Sequence, residues 1–498
     1  MRVLLTLGPA ILVPSLLTAA CGPAAPRAGP APGATVDGGE VDAQLDARDA
    51  EVWDADAAVE GSDPDPVFST KQWAALQALS PEALPPPPHD PTNRFADSGA
   101  AAALGQRLFF DPSFSGQLLD TDNQGPPQAL GVATSTSGET GKVACAGCHI
   151  PASGFSDTRS FQQQISLGAG WGRRRAPSLL DVGQASLLMW DGRKDSLFSQ
   201  VFGPLETVVE MNSSRLYMAE QLYARYRSDY EPIFGPMPPL DDATQFPALS
   251  ASLTGCLPMN RTDPAPVCDG SFHGMPGDGA EFDGMTAANQ NAVTAVVANA
   301  GKAIGAYERL LSCGEAPFDA WMHGAPGAVS RAAQRGAAVF VGRGGCVQCH
   351  SGPFMSDQQF HNVGLAPTVV QQAFVDSDDE GQATGLPQLL ASSLRSTGVY
   401  SDGTDGRIPA AVTPAMDGAF RTPMLRCVAM RPTFMHTGQL GTLGDVVAFF
   451  SQGGDPPGRY PGTSELASLG LTALEQSDLV AFLEALTGPG AATELQSP

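Results

Sequence analysis

Positive charge is scarce in this chain: 28 Lys and Arg stand against 52 Asp and Glu, a formal net charge of −24. A surface this acidic repels phosphate backbones, which argues against nucleic acid as a partner. Long apolar runs are also lacking, and beyond position 20 none is long enough to cross a bilayer. Tyrosine is rare, with 7 residues, whereas Gly reaches 56 and Pro 43, so loops must make up much of the fold. Wholesale disorder is nevertheless excluded, because 42% hydrophobic residues suffice for sizeable cores. The 498 residues suit two or three domains.

Met1-Arg2 opens a short positive region, followed by an apolar stretch from Val3 to Leu17. It ends in Leu17-Thr18-Ala19-Ala20-Cys21-Gly22, with small residues before a cleavage point. Residues 1–21 are therefore expected to be a signal peptide of the lipoprotein type, with Cys21 acylated after cleavage. The expected location is the periplasm or the outer membrane, with the lipid anchor as the membrane contact. Residues 22–90 are expected to be a disordered linker. Within 22–68, 11 acidic residues face only Arg27 and Arg48, and a proline-rich tract runs from Pro81 to Pro88.

The cysteines carry the chemistry. Cys145-Ala146-Gly147-Cys148-His149 and Cys346-Val347-Gln348-Cys349-His350 both have the C-x-x-C-H pattern of covalent c-type haem attachment. Two thiols one turn apart can form thioethers with the haem vinyl groups, and the adjacent His reaches the iron as proximal ligand. A thioredoxin-like redox pair would need a βαβ setting that neither flank shows. Zinc would favour paired CxxC units, yet these lie about 200 residues apart. The expectation is two covalently bound c-type haems, ligated by His149 and His350. Of the other cysteines, Cys256 and Cys268 form one candidate disulfide in a Pro/Gly-rich loop. Cys313 with Cys427 forms a second and weaker one.

The flanks of the two motifs resemble each other. Gly105-Gln106-Arg107-Leu108-Phe109-Phe110 precedes the first and Gly336-Ala337-Ala338-Val339-Phe340-Val341 the second. Gly154-Phe155-Ser156-Asp157 and Pro353-Phe354-Met355-Ser356-Asp357 follow them. The pattern predicts a duplicated helical unit. Helical spacing is expected from Ala287 to Leu311, Leu443 to Phe450 and Ala473 to Leu486.

Further motifs are Arg174-Arg175-Ala176-Pro177-Ser178-Leu179, Trp190-Asp191-Gly192-Arg193, Val209-Glu210-Met211, Phe420-Arg421-Thr422-Pro423 and Met435-His436-Thr437-Gly438. With the two haem motifs, and over roughly residues 91–487, the chain resembles the bacterial dihaem cytochrome c peroxidases. These share a superfamily with the dihaem maturase of methylamine dehydrogenase. The resemblance implies a mostly α fold with two cytochrome-c-like haem domains in tandem. These are 91–314, with a loop insertion at 236–285, and 315–487, followed by a tail at 488–498. It also implies that the His149 haem meets H2O2 and that the His350 haem receives electrons from a small cytochrome c or cupredoxin. Trp190 would relay electrons between them, while Gln200 and Glu210 form the polar pair on the peroxide side. A lone Glu is more often a solvated helix face and a Trp an interface filler, so the motif context carries both assignments. A homodimer is the family's usual assembly.

The chain departs from the family at three places. Where many members carry a removable His ligand, it has Leu167-Gly168-Ala169-Gly170-Trp171, and no His occurs between His149 and His273. This predicts a first haem with an open distal position. The expected distal ligand of the second haem falls on Phe450, which has no lone pair for iron; Met424, Met430 and Met435 are the alternatives nearby. Calcium between the domains is doubtful, because Arg175 stands where the family often has Asn. Two other functions stay open: a maturase-like oxidase of a partner protein or small molecule, and a non-catalytic dihaem electron carrier.

Overall fold

A computed structural model of the chain describes residues 66–119, 138–158, 166–252, 273–368, 378–404, 406 and 408–498. The signal sequence, Cys21, the acidic segment, and Cys256 with Cys268 lie outside the described residues. Because the chain is rich in Gly and Pro, helix starts have to be set locally. Seven of eight long helices begin at a Ser or Thr whose hydroxyl accepts a backbone N–H of the first turn. They are α1 (Thr70–Leu79), α2 (Gly99–Phe110), α3 (Arg215–Phe234), α4 (Ala287–Glu308), α5 (Arg331–Val341), α7 (Leu443–Gln452) and α8 (Ala473–Glu484). The exception is α6 (Gln382–Ala391), which starts after Gly381. One two-stranded sheet pairs β1 (Phe360–His361) with β2 (Phe420–Arg421), antiparallel.

The helices enclose two hydrophobic cores. The first gathers Phe109, Phe198, Tyr217 and Tyr307 from α2, α3, α4 and the loops between them. The second gathers Phe318, Phe340, Val447 and Phe482 around α5, α7 and α8. The sequence duplication appears as a duplicated crossing. Gly105 lets α2 lie directly on the Ala303 carbonyl of α4, and Gly336 lets α5 lie on the Asp478 carbonyl of α8. A β-carbon at either glycine would collide with that backbone.

The C-terminal part of the 22–90 linker is not disordered: α1 forms within it. Trp73 and Leu76 lie three apart, as do Leu76 and Leu79, so α1 presents an apolar stripe to the second core. Its end is tied by Ser80, which donates to Asp319 at 2.7 Å. Arg426, itself ion-paired to Asp319, donates to the Leu79 carbonyl. At the other end of the chain, residues 488–498 pack on the first core. Ala491 is buried there, and the Tyr307 hydroxyl donates to the Leu495 carbonyl at 2.5 Å. Within 236–285, the described part is looped, and Asp278 gathers the backbone N–H groups of Gly274, Ala280, Phe282 and Asp283. Cys313 and Cys427 form a buried disulfide that closes a separation of 114 residues.

Candidate active site

Cys145–Cys148 is a single helical turn, and Cys346–Gln348 a 3-10 turn with Cys349 at its end. Each therefore presents two thiols on one side with a His directly after them. Burial pushes the Cys145 thiol up to about 12 and the Cys346 thiol to about 11, so both are protonated. His149 Nδ1 lies 3.1 Å from the Phe155 carbonyl and 3.0 Å from that of Pro177. His350 Nδ1 lies 2.9 Å from the Met355 carbonyl. A carbonyl only accepts, so Nδ1 carries the proton and Nε2 keeps the lone pair that a metal needs. Burial lowers both imidazoles from their usual value, which favours the neutral, ligating form. Phe155 and Met355 occupy equivalent left-handed positions, each with φ of 54°. Phe109 lies 6.5 Å from the His149 ring and Phe340 6.5 Å from the His350 ring.

Beside His149 is a cavity of about 570 Å³. Its apolar wall includes Leu108, Phe109, Leu179 and Ile304; its polar groups include Gln200, Glu210, Glu308 and Arg421. The volume falls within the range of cofactor sites. A haem fits this site on three observations: the thiols of Cys145 and Cys148 in the cavity wall, the anchored imidazole, and orphaned cations. Arg175 and Arg421 line the cavity, yet the Nε of each is buried without a hydrogen-bond acceptor. A propionate is the anion such groups lack.

All three expected catalytic side chains line this cavity. Gln200 ends the turn Leu197–Gln200, with its amide nitrogen 3.5 Å from the Met189 sulfur. Burial raises the Glu210 carboxyl above its ordinary value, opposed by the charges of Arg193 and Lys194. Trp190 donates from its indole nitrogen to the Arg175 carbonyl at 2.6 Å, and its own carbonyl accepts from Arg421 N at 2.8 Å. It thus joins the loop that carries Arg174 and Arg175 to β2. His436 lies 6.4 Å from the Trp190 ring and stacks on Phe420 at 3.7 Å. Burial holds His436 neutral by lowering it to about 3.

The segment that replaces the family's removable His is held on the backbone of Val209 and Glu210. Ala169 N donates to the Glu210 carbonyl at 2.6 Å and Gly170 N to that of Val209 at 3.0 Å. The Ala169 methyl is fully buried against Leu119 and Val208, while Gly168 and Gly172 line the cavity. Among the described residues, His149 is the one His in the cavity wall. Near the second motif, Phe450 is half-buried on α7 and packs edge-on to Phe449. Met430 packs on the first core, and Met424 is buried.

Several site residues were not anticipated from sequence. Glu308, at the end of α4, is pushed up to about 8 by burial. Helical spacing makes it an ordinary last-turn residue, and only the fold turns it into the cavity. Arg174 grips Asp379 with two hydrogen bonds, at 2.8 and 2.6 Å, and Asp191 with a third at 2.6 Å. The Arg-Arg-Ala-Pro motif marked the place but not the partners. His361 sits between Asp357 at 2.9 Å and Glu465 at 2.7 Å. The Cys349 sulfur and these carboxylates raise it to about 10.

Residues 99–254 match the family model for di-haem cytochrome c peroxidase. The chain is 30% identical over 425 residues to cytochrome-c peroxidase IdrP2 of Denitromonas iodatirespirans, covering 83% of this chain and 86% of that one. It is 29% identical over 430 residues to methylamine utilization protein MauG of Methylorubrum extorquens, covering 86% and 88%. The fold is similar to that of the diheme peroxidase BthA from Burkholderia thailandensis, with TM-score 0.52 and 21% identity over 82% of this chain and 96% of that one. With its two Cys-x-x-Cys-His turns and the match to IdrP2 over most of both chains, this protein belongs to the dihaem cytochrome c peroxidase and MauG superfamily of oxidoreductases.

Proposed function

We propose that the chain is a periplasmic, lipid-anchored dihaem c-type peroxidase that reduces H2O2 to two waters with two electrons and two protons. The electrons would come from a small cytochrome c or cupredoxin. The observation that carries this reading is the cavity beside His149, lined by both Gln200 and a Glu210 whose carboxyl is raised by burial. When bound, the haem supplies the electrons and the metal centre at which the O–O bond breaks. Glu210 takes the proton from the near oxygen of H2O2 and returns it to the far one, so that water leaves. Its raised value places the acid limb of the rate above the ordinary carboxylate range: activity falls as the pH drops and Glu210 becomes protonated. Gln200 donates its amide hydrogens to the peroxide oxygens and fixes their orientation. Trp190, hydrogen-bonded to Arg175 and joined to Arg421 through the backbone, provides the path for electrons from the second haem.

The test is electron paramagnetic resonance of the oxidised, haem-loaded protein before and after stoichiometric H2O2, followed by turnover with a reduced cytochrome. A high-spin ferric signal consumed by peroxide, with cytochrome oxidation in turnover, is the expected result. Two low-spin signals that ignore peroxide would leave an electron carrier.

One observation favours a second reading. Ala169 turns its methyl into the Leu119 and Val208 patch, leaving the cavity wall without a second His among the described residues. An open first site suits a maturase-like enzyme that withdraws electrons from a partner protein or small molecule. Peroxide consumption without cytochrome oxidation, accompanied by oxidation of an added phenolic donor, would select it.

A further inference from the structure

Buried arginines in this protein are generally paired with carboxylates. Arg426 is paired with Asp319, Arg215 with Glu206, and Arg174 with both Asp191 and Asp379. Three arginines break that habit: Arg175 and Arg421, which line the cavity beside His149, and Arg431, which lies near enough to both to feel their charge. Arg175 is 3% exposed and Arg421 9%. Arg431 joins them from the loop between β2 and α7. None of the three forms an ion pair with a described residue, and the Nε of each is buried without an acceptor. The side chains of Arg175 and Arg431 bond to backbone carbonyls instead. Arg175 Nη2 donates to the Asp157 carbonyl at 2.9 Å, and Arg431 Nη2 donates to Met424 O at 2.6 Å and Arg426 O at 3.4 Å.

Burial draws all three guanidiniums down to about 10, and Arg175 and Arg421 repel Arg431 further. The charges of Asp157 near Arg175 and Asp181 near Arg431 act against this. Three unpaired like charges in one buried place are strongly unfavourable unless an anion completes them. The field of the group extends to both turns, since Arg175 acts on His149 and Arg431 on His350.

We propose that Arg175, Arg421 and Arg431 form one cationic seam that receives propionates from both haems and raises the two reduction potentials together. The proposal rests on the two-haem reading of the site. A planar guanidinium pairs with a carboxylate through two parallel hydrogen bonds, which the free Nε positions make available. Positive charge left over after pairing favours the electron-richer reduced iron, and so shifts the potential upward. Because the three cations share one region, loss of one is felt at both haems. Charge compensation confined to one pocket would move one potential.

The test uses the full, haem-loaded chain and the variants Arg421→Gln, Arg431→Gln, Arg421→Lys and Arg431→Lys. A pyridine haemochrome assay of the parent protein comes first: a count other than two haems ends the two-haem reading. With two haems bound, spectroelectrochemistry should show both midpoint potentials shifted downward in each Gln variant and nearer the parent in each Lys variant. Gln variants that hold two haems with unmoved potentials, or with only one moved, overturn the seam. Should the Gln variants fail to load haem, resonance Raman of the Lys variants decides. A shifted propionate-bending band supports the seam, and an unmoved band overturns it.

Discussion

The turns that carry His149 and His350 are built alike, yet what surrounds them differs in charge. Each imidazole gives its Nδ1 proton to a carbonyl from a left-handed residue, and each sits 6.5 Å from the Phe of a Gly-anchored helix. Around His149 the fold then adds buried acids, Glu210 and Glu308, that burial inclines to stay protonated. Around His350 it adds His361, ion-paired between the carboxylates of Asp357 and Glu465. One inherited turn has thus been given two environments: one that can release and take protons, and one with a fixed charge. Proton handling belongs with peroxide chemistry and a fixed charge with electron storage, which agrees with the division of labour proposed above.

The comparison can be broken most strongly at the link between the halves. Replacing Cys313 and Cys427 with Ala should lower unfolding free energy by about 4–5 kcal/mol, the loop-closure value for a separation of this size. Urea titration followed by fluorescence should then resolve two transitions, one per core. A single unchanged transition would mean that packing alone joins them.

Next comes the asymmetry of the acids. Glu210→Gln should slow peroxide consumption by roughly 10²–10³-fold, within the range of a lost general base, with haem content unchanged. Glu465→Gln, beside His361 in the other half, should leave that rate constant where it was. Stopped-flow mixing with H2O2 reads both, and equal losses would erase the distinction drawn here.

The symmetry itself is tested at the helix crossings. Gly105→Ala and Gly336→Ala should each cost about 1–3 kcal/mol through overpacking, and by similar amounts. Thermal melts that differ widely would show that the duplicated crossing no longer does the same job in both halves.

The last test concerns the pH dependence set by Glu308. Its folded value of about 8 lies above that of an unfolded Glu, so the folded chain binds this proton more tightly. Its contribution to stability is full below the ordinary Glu range, declines as the pH rises, and is gone above about 8. The limiting slope is about 1.4 kcal/mol per pH unit. Glu308→Gln should remove this decline, seen as a flatter plot of Tm against pH for the haem-loaded protein.

Much of this site was legible in the chain because covalent haem attachment demands adjacent residues. Cys145 to His149 and Cys346 to His350 are each five consecutive positions, and Trp190 and Glu210 lie in short motifs, with Gln200 between them. The Arg175, Arg421 and Arg431 group was hidden for the opposite reason: a loop from the first half meets β2 and the loop after it from the second, and no local pattern marks a missing counter-ion. Helix α1 was hidden by its flanks. A proline-rich tract and an acidic stretch dominate the composition there, while the helix is ten residues long and fully buries only Leu76 and Leu79. The pairing of Cys313 with Cys427, the weaker of the two candidates in the sequence, is the one the described residues form, brought together by spatial proximity.

The termini carry a consequence for how the protein is made. Helix α1, near the start of the described chain, completes the second core, whereas Ala491 and Leu495, near its end, complete the first. A chain emerging from a ribosome cannot finish the first half until residues 491 to 495 are out. The second half likewise draws in a segment that appeared at the outset. The two segments work as a clasp, fastened only after both halves have been made, so that neither half is a self-sufficient cassette. A gene split near position 314 would yield two fragments, each leaving part of its own core on the other.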